Sequence, residues 1–477
     1  MKKTTILSAF ISVFLTTASC SREFLNPEPK SAINTENYYQ NESQLLAGVL
    51  NMYDGIQGAN GLEGDLSANQ GVQFEFYLTE MRSDNTRTKS SEGEAAQFEQ
   101  YKVTATNGIV SDYYLSYYNI IFRANTVLEN LDVASANTRL KYEGEAKFVR
   151  AYAYFNLVRL FGDIPFVDHV LPIDDKQTQF TRVPQAQVYD LIVSDLKAAI
   201  ASLDNTHKNR ASKAAAQALL AKVYLTLRTN YTEAQQLCEA VMASNYSLMS
   251  NFKDVFFTEN NKEIIFAIGF VPDNILDSQG FSAEWLNSVG RSSGVNYVTN
   301  EAAAALNLSG GDRTAYSYRI DPGQPSQKQV VKYLPVADAS LGIPATSANP
   351  RTAGNDWIVL RFSDVLLMHV EAIMAGNSST TTPAALNSFR LVRERAGLSA
   401  DADGEITRQE LLDERRVELA FENQRFFDLV RFGQAQTVLS AYSAANNYSF
   451  TATDLLLPIP QREINISGGL LKQNPGY

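Results

Sequence analysis

The sequence contains few of the residues from which redox, zinc and disulfide sites are built. Its 477 residues include two cysteines, Cys20 and Cys238, and three histidines, His169, His207 and His369. The histidines lie far apart, and neither an HExxH nor a CxxC motif occurs, which argues against a catalytic zinc site. No EF-hand spacing appears either. We therefore expect no bound metal and no cofactor.

Basic residues are also fewer than acidic ones. The chain has 41 Lys and Arg residues against 52 Asp and Glu, a formal net charge of −11. Nucleic-acid-binding proteins usually carry a basic patch or stripe, and no such run is present, so we expect no nucleic-acid partner. The apolar content of 45% is ample for a large buried core and indicates a folded protein.

Long apolar runs are confined to the N-terminus. Lys2 and Lys3, the apolar run 6–15, and Ala18 and Ser19 before Cys20 form the three regions of a secretory signal, predicted over residues 1–19. The run is too short to span a bilayer.

Cys20 after small residues resembles a lipobox, in which this cysteine becomes the lipidated first residue, although Thr17 stands where leucine is usual. The alternative is a signal peptide with a chance cysteine. If Cys20 is lipidated, Cys238 has no partner, which excludes a disulfide framework. We expect residues 20–37 to tether a single body formed by residues 38–477.

The body shows helical periodicity over most of its length. Apolar residues recur at helical spacing, and Gly58 and Gly162 follow two of the periodic segments. The predicted helices cover residues 43–56, 113–131, 141–161, 188–203, 211–227, 232–244 and 364–375. Small and aromatic residues at tetratricopeptide-like spacings, such as Ala234, Cys238 and Val241, indicate stacked helix pairs over about 110–250 and 360–435. Cys238 is expected to be an inert core thiol.

The periodicity fails between about 270 and 357, where Gly, Ser, Pro and Asn dominate. Loops this long inside a compact domain are usually functional. Strand-like runs at 263–270 and 329–333 predict small hairpins in this region. The predicted fold is therefore mainly α, with tetratricopeptide-like helical repeats, long irregular loops and a few short β-hairpins.

Residues 411–433 combine apolar residues on several helix faces with nine charges. We expect one buried helix in which oppositely charged neighbours, such as Arg415 with Glu418 and Asp428 with Arg431, form pairs. Catalysis by paired carboxylates is the alternative. Because every acid here has a basic neighbour, structural ion pairs are the favoured interpretation.

Two motif sets stand out in the body. One runs from Gly144-Glu145-Ala146-Lys147-Phe148 to Phe161-Gly162-Asp163-Ile164-Pro165, and the other comprises Glu414-Arg415-Arg416, Glu418-Leu419, Phe421-Glu422, Arg425, Asp428-Leu429 and Arg431-Phe432-Gly433. Both resemble the SusD/RagB family of outer-membrane nutrient-binding lipoproteins of Bacteroidetes. The resemblance implies a right-handed stack of four helix pairs on the outer face of the outer membrane. It also implies capture of an oligosaccharide, its delivery to a SusC-like TonB-dependent channel, and no enzymatic activity.

A saccharide site needs flat aromatic faces and planar polar groups. Two stretches supply both, and the candidate ligand-binding residues are Arg82, Asp84, Asn85, Tyr113, Tyr114, Trp285 and Tyr297. Trp285 stands among glycine, serine and asparagine, a loop setting that indicates exposure. The alternative is that Asp84 and Asn85 form a turn and the tyrosines pack between helices.

Two other functions remain open from the residues alone. A helical-repeat lipoprotein could instead bind peptides or proteins in its concave face. A glycoside hydrolase would need two carboxylates roughly 5 to 10 Å apart across a cleft, and the sequence nominates no unpaired acidic duo.

Overall fold

Helices form most of the chain, as predicted. The computed structural model describes residues 38–60, 68–88, 93–286, 296–399 and 404–477, so the predicted signal, tether and Cys20 lie outside the described residues. The α-helices are α1 (Glu42–Gln57), α2 (Glu75–Leu78), α3 (Gly93–Glu99), α4 (Gly108–Glu129), α5 (Ala136–Phe161), α6 (Lys176–Phe180), α7 (Gln185–Ser202), α8 (Lys213–Leu227), α9 (Tyr231–Met242), α10 (Phe252–Phe257), α11 (Phe281–Glu284), α12 (Asn300–Ser309), α13 (Thr314–Ser317), α14 (Phe362–Met374), α15 (Pro383–Arg395), α16 (Arg408–Glu418), α17 (Arg425–Arg431), α18 (Ala435–Asn446) and α19 (Gln461–Ile466).

The strands are short and pair two at a time. They are β1 (Thr86–Arg87), β2 (Ile164–Pro165), β3 (Arg182–Val183), β4 (Ile264–Ile268), β5 (Tyr297–Val298), β6 (Tyr318–Asp321), β7 (Gln324–Val330), β8 (Trp357–Arg361), β9 (Ser379–Thr380) and β10 (Ile406–Thr407). The antiparallel pairs are β1 with β5, β2 with β3, β4 with β8, β6 with β7 and β9 with β10.

The predicted repeats form one stack of helices. In order, α1 packs on α4, α4 on α5, α5 on α7, α7 on α8, α8 on α9, α9 on α14, and α14 on α15. The contact of α9 with α14 joins the two repeat segments that are separated in sequence. The mainly α, repeat-built fold is thereby confirmed.

Helix ends follow the local signals. The Asn41 side chain accepts a hydrogen bond from the Gln44 amide and begins α1, and Gly58 ends it at a φ of 68°. Gly144 has a different role, because a Cβ there would lie 2.2 Å from Ser202 Oγ. The motif glycine therefore permits the close packing of α5 against α7.

The irregular region differs from the prediction in detail. The run at 263–270 is a strand, β4, but it pairs with the distant β8 and forms no hairpin. The run at 329–333 overlaps only the end of β7, which does form a hairpin with β6. Short helices α11 to α13 also lie within the region. No helix in the described parts of the chain has the length and hydropathy to span a membrane.

The prediction of one helix over 411–433 is wrong. The chain forms α16 and α17, separated by a turn in which Phe421 and Asn423 adopt positive φ angles of 66° and 58°. The turn is held by Glu80, whose carboxylate accepts hydrogen bonds from the Phe421 and Asn423 amides at 3.2 and 3.1 Å.

The charged side chains of this segment are buried and form ion pairs, as the favoured interpretation predicts, but most partners are distant in sequence. Arg361 contacts Glu418 and Glu422 at 2.5 and 2.7 Å, and Arg313 contacts Glu418 at 2.7 Å. Of the two neighbour pairs named above, Arg431 with Asp428 forms, at 2.8 Å, whereas Arg415 bonds Asp364 and Asp428 instead of Glu418.

The basic partners also fix the ionisation of Glu418. Burial opposes the charged carboxylate, but Arg395, Arg361 and Arg313 together hold the pKa of Glu418 well below its usual range. A carboxylate that already bonds several guanidinium groups is a poor general acid or base. The segment is a structural ion cluster.

Candidate functional site

The two polar stretches that were predicted to bind ligand meet at the β1–β5 pair. Arg87 lies opposite Tyr297, and Thr86 opposite Val298. Just beyond, the Thr299 amide donates to the Asn85 carbonyl at 3.0 Å, and its hydroxyl donates to the Asp84 carbonyl at 2.8 Å. Residues 89–92 and 287–295, which follow β1 and precede β5 in the chain, lie outside the described residues.

Arg82, Asp84 and Asn85 are buried beneath this pair. The Arg82 guanidinium carbon lies 4.2 Å from the ring centroid of Phe426, and Asn85 Nδ2 donates to the Glu80 carboxylate at 3.0 Å. Asp84 is only 4% exposed. These side chains anchor the β1 segment to the core, and their burial argues against direct contact with a ligand.

Asp84 forms buried ion pairs with two arginines. Arg425 Nε contacts it at 2.8 Å and Arg416 Nη2 at 2.9 Å. Burial alone would raise the pKa of Asp84, but the two guanidinium groups hold it at about 2. The carboxylate is therefore charged and fully engaged by the protein.

Tyr113 and Tyr114 point into the core from the first turns of α4. Both side chains are buried, the Tyr113 ring stacks on Tyr117 with centroids 4.2 Å apart, and Tyr114 contacts Phe161 edge to face at 5.1 Å. The two tyrosines therefore pack between helices, which was the alternative to a ligand-binding role. Neither ring offers a face to solvent.

The predicted exposure of Trp285 is wrong. Its side chain is 1% exposed and lies against Phe76, Tyr333 and Phe421, with ring centroids 5.5, 5.8 and 6.2 Å away. The surrounding glycine and serine residues correctly indicate a break in periodicity. They do not reveal that three distant aromatic rings enclose the indole. Trp357, predicted to be core, is buried.

Tyr297 is the candidate that keeps an accessible ring. It is half-buried, and the guanidinium carbon of Arg87 lies 5.4 Å from its ring centroid. The Tyr448 hydroxyl donates to Glu99 at 2.9 Å, and burial followed by the charge of Glu99 raises the pKa of Tyr448 to about 12. We call Arg87, Glu99, Tyr297 and Tyr448 the Tyr297 ledge.

The ledge combines two half-buried aromatic rings with a guanidinium group, which can stack on a saccharide and bond its hydroxyls. Glu99 is 2% exposed and accepts from the Thr88 amide and the Tyr448 hydroxyl, so it positions Tyr448. Arg87 Nε has no hydrogen-bond partner in the described part of the chain. Sequence analysis missed Arg87, Glu99 and Tyr448. Arg87 lies two residues after Asn85 in the same polar stretch and could have been included among the candidate ligand-binding residues. No local sequence signal indicates a role for Tyr448.

Two further observations concern the cysteine of α9 and the placement of possible metal ligands. Cys238 is fully buried, and burial raises the pKa of its thiol, as expected for an inert core cysteine. Within the described ranges, no group of three or more His, Cys, Asp or Glu side chains is placed to hold a metal ion.

Comparison with known proteins agrees with the motifs. Residues 23–225 match a family model described as starch-binding and associating with the outer membrane, and residues 287–477 match the SusD family model. SusD-like protein P2 of Formosa agariphila is 27% identical over 100% of both chains. Starch-binding protein SusD of Bacteroides thetaiotaomicron is 24% identical over 75% of this chain and 76% of its own.

The chain belongs to the SusD family. Solved structures of SusD-like proteins show the same fold. A laminarin-binding SusD-like protein, 24% identical, covers 92% of this chain and 100% of its own with a TM-score of 0.74. Surface glycan-binding protein A of B. thetaiotaomicron in complex with laminarihexaose, 20% identical, covers 91% and 99% with a TM-score of 0.75.

Proposed function

We propose that this SusD-family protein is a cell-surface lipoprotein of the outer membrane that binds an oligosaccharide and delivers it to a partner TonB-dependent channel, without catalysing a reaction. The observation that carries the binding proposal is the Tyr297 ledge, where half-buried aromatic rings and a guanidinium group meet between two segments that the fold brings together. Relatives named for binding starch and laminarin support the class of ligand.

We infer the absence of catalysis from the ion pairs of three acidic residues in α16 and the turn after it. Glu414, Glu418 and Glu422 each bond a buried basic side chain: Arg313 with Glu414 at 2.6 Å, Arg361 with Glu418 and Lys332 with Glu422 at 2.5 Å. Hydrolysis of a glycosidic bond needs one carboxyl that holds a proton and one that is free to act as base or nucleophile. Because buried basic side chains engage these three acids, none of them is free to act as base or nucleophile.

Substitution of Tyr297 tests the ledge. We expect Tyr297→Ala to weaken binding of laminarihexaose or a xyloglucan oligosaccharide about tenfold, because loss of one stacked ring removes about 1.4 kcal/mol. Isothermal titration calorimetry measures the change. Tyr231→Ala, which removes a half-buried tyrosine from α9, serves as the control, and equal affinities for both variants would contradict the proposal.

Lipidation at Cys20 is tested separately. We expect Cys20→Ala to move the folded protein from the membrane fraction to the soluble fraction, because the acyl anchor is lost. Immunoblotting of fractionated cells and circular dichroism of the purified variant provide the measurements. Cys238→Ala, at the buried cysteine, should remain with the membrane. Retention of the Cys20 variant in the membrane fraction would rule out the anchor.

A further inference from the structure

A large surface groove lies away from the β1–β5 pair. It consists of two cavities of about 470 and 530 Å³ that share Glu259 and Asp356 in their walls. The first is bounded by α1 and by residues 268–271, and the second by residues 255–258 and 344–346. None of the four ledge residues lines either cavity. We call the two cavities together the acidic groove.

Negative charge dominates the first cavity. Asp54, Glu259, Asp277 and Asp356 line it. Arg210 is a basic residue in its wall, but its guanidinium is engaged by Glu145 through contacts of 2.6 and 2.9 Å. Asp54 pairs with Arg123 at 2.6 Å, whereas Glu259, Asp277 and Asp356 have no basic partner among the described residues. These three carboxylates attract cationic groups and repel anionic ones.

Exposed aliphatic side chains border the same carboxylates. Leu50 and Val271 line the cavity and are 48% and 51% exposed, and Ile275 and Leu276 follow Val271 in the chain with 49% and 56% exposed. Branched aliphatic groups lack the flat face on which a pyranose ring stacks. Clustered with acids, they match a ligand that carries both aliphatic and basic side chains.

The second cavity contains an unused hydrogen-bond donor. Asn355 lines it and is 3% exposed. Its Oδ1 accepts from the Thr346 hydroxyl at 2.7 Å, whereas its Nδ2 has no partner among the described residues. A buried amide without an acceptor is costly, so this position favours a ligand that brings a carbonyl oxygen.

We propose that the acidic groove binds an extended polypeptide segment with alternating basic and aliphatic side chains, contributed by a partner protein. Its lysine or arginine side chains approach Glu259 and Asp356, its aliphatic side chains pack on Leu50 and Val271, and a backbone carbonyl accepts from Asn355 Nδ2. This interaction is independent of oligosaccharide binding at the Tyr297 ledge.

Two octapeptides serve as probes for the full-length protein: one of alternating lysine and valine, and one of alternating glutamate and valine. Isothermal titration calorimetry should detect binding of the lysine peptide alone, weaker at high salt. Glu259→Gln combined with Asp356→Asn should lower that affinity by about three- to tenfold, as expected for two partly exposed charge pairs. Val271→Ser, at a 51% exposed side chain of the cavity wall, should also weaken it.

Matched variants separate the groove from general charge attraction. Asp413→Asn removes an exposed acid that lines a different cavity, and Leu308→Ser replaces an 88% exposed leucine in that same cavity. Both should bind the lysine peptide like the parent protein. Failure of the lysine peptide to bind, or equal losses in groove and control variants, would overturn the proposal. Loss of laminarihexaose binding in the groove variants would also overturn it, because the groove would then hold the sugar.

Discussion

Replacing Arg361 with methionine is expected to lower the free energy of unfolding by about 3–5 kcal/mol, the usual effect of removing one partner from a buried ion pair. Arg361 is 1% exposed and contacts three carboxylates, those of Glu263, Glu418 and Glu422, at 2.9, 2.5 and 2.7 Å. Methionine retains much of the apolar stem but leaves these buried acids short of positive charge. Urea unfolding followed by circular dichroism measures the change.

Arg390→Met is the matched control for this variant. Arg390 forms a surface pair with Glu394 one helical turn away, with side chains 41% and 47% exposed. A pair of this kind contributes less than about 1 kcal/mol, so the control should unfold close to the parent protein. If the two variants lost the same small amount, the buried cluster would not stabilise the fold as argued.

The contrast between these two arginines also explains what the sequence could predict. Arg390 pairs with a residue four positions away in the same helix, a contact that the local sequence can predict. The bounds of most predicted helices agree with the structure to within a few residues because periodicity and terminal glycines are also local signals. The partners of Arg361 are Glu263, just before β4, Glu418 at the end of α16, and Glu422 in the turn that follows. Opposite signs three residues apart correctly predicted that the charges pair, but they indicated neighbours as partners, and Arg415 instead bonds Asp364 and Asp428.

The same limit applies to the candidate site. Aromatic and polar composition selected the two stretches that β1 and β5 join, and it included Tyr297. It could not distinguish Tyr297 from Trp285, because burial of the indole depends on Phe76, Tyr333 and Phe421, which come from three other segments. Composition marks where irregular chain lies, whereas exposure depends on long-range packing.

Glu75 is expected to make the free energy of unfolding depend strongly on pH. This glutamate is 6% exposed and lines a small cavity with Arg159 and Lys222. Burial raises its pKa to about 7 from a usual 4.5, although Arg159, Asn423 and Lys222 oppose the rise. The folded protein thus retains a proton that the unfolded chain releases near pH 4.5. The resulting stabilisation is complete below that pH and is lost as pH rises through about 7.

Glu75→Gln should remove this dependence, because the amide stays neutral at every pH. We expect the free energy of unfolding of the variant, relative to the parent, to increase by about 2–3 kcal/mol between pH 5 and pH 8, since one pKa unit corresponds to about 1.4 kcal/mol. Urea unfolding at several pH values measures the difference. Glu143→Gln, at a partly exposed glutamate paired with Lys147 at 2.6 Å, should give a change below about 1 kcal/mol. A Glu75 difference that stays constant with pH would mean that Arg159 and Lys222 keep the carboxylate charged in the folded protein.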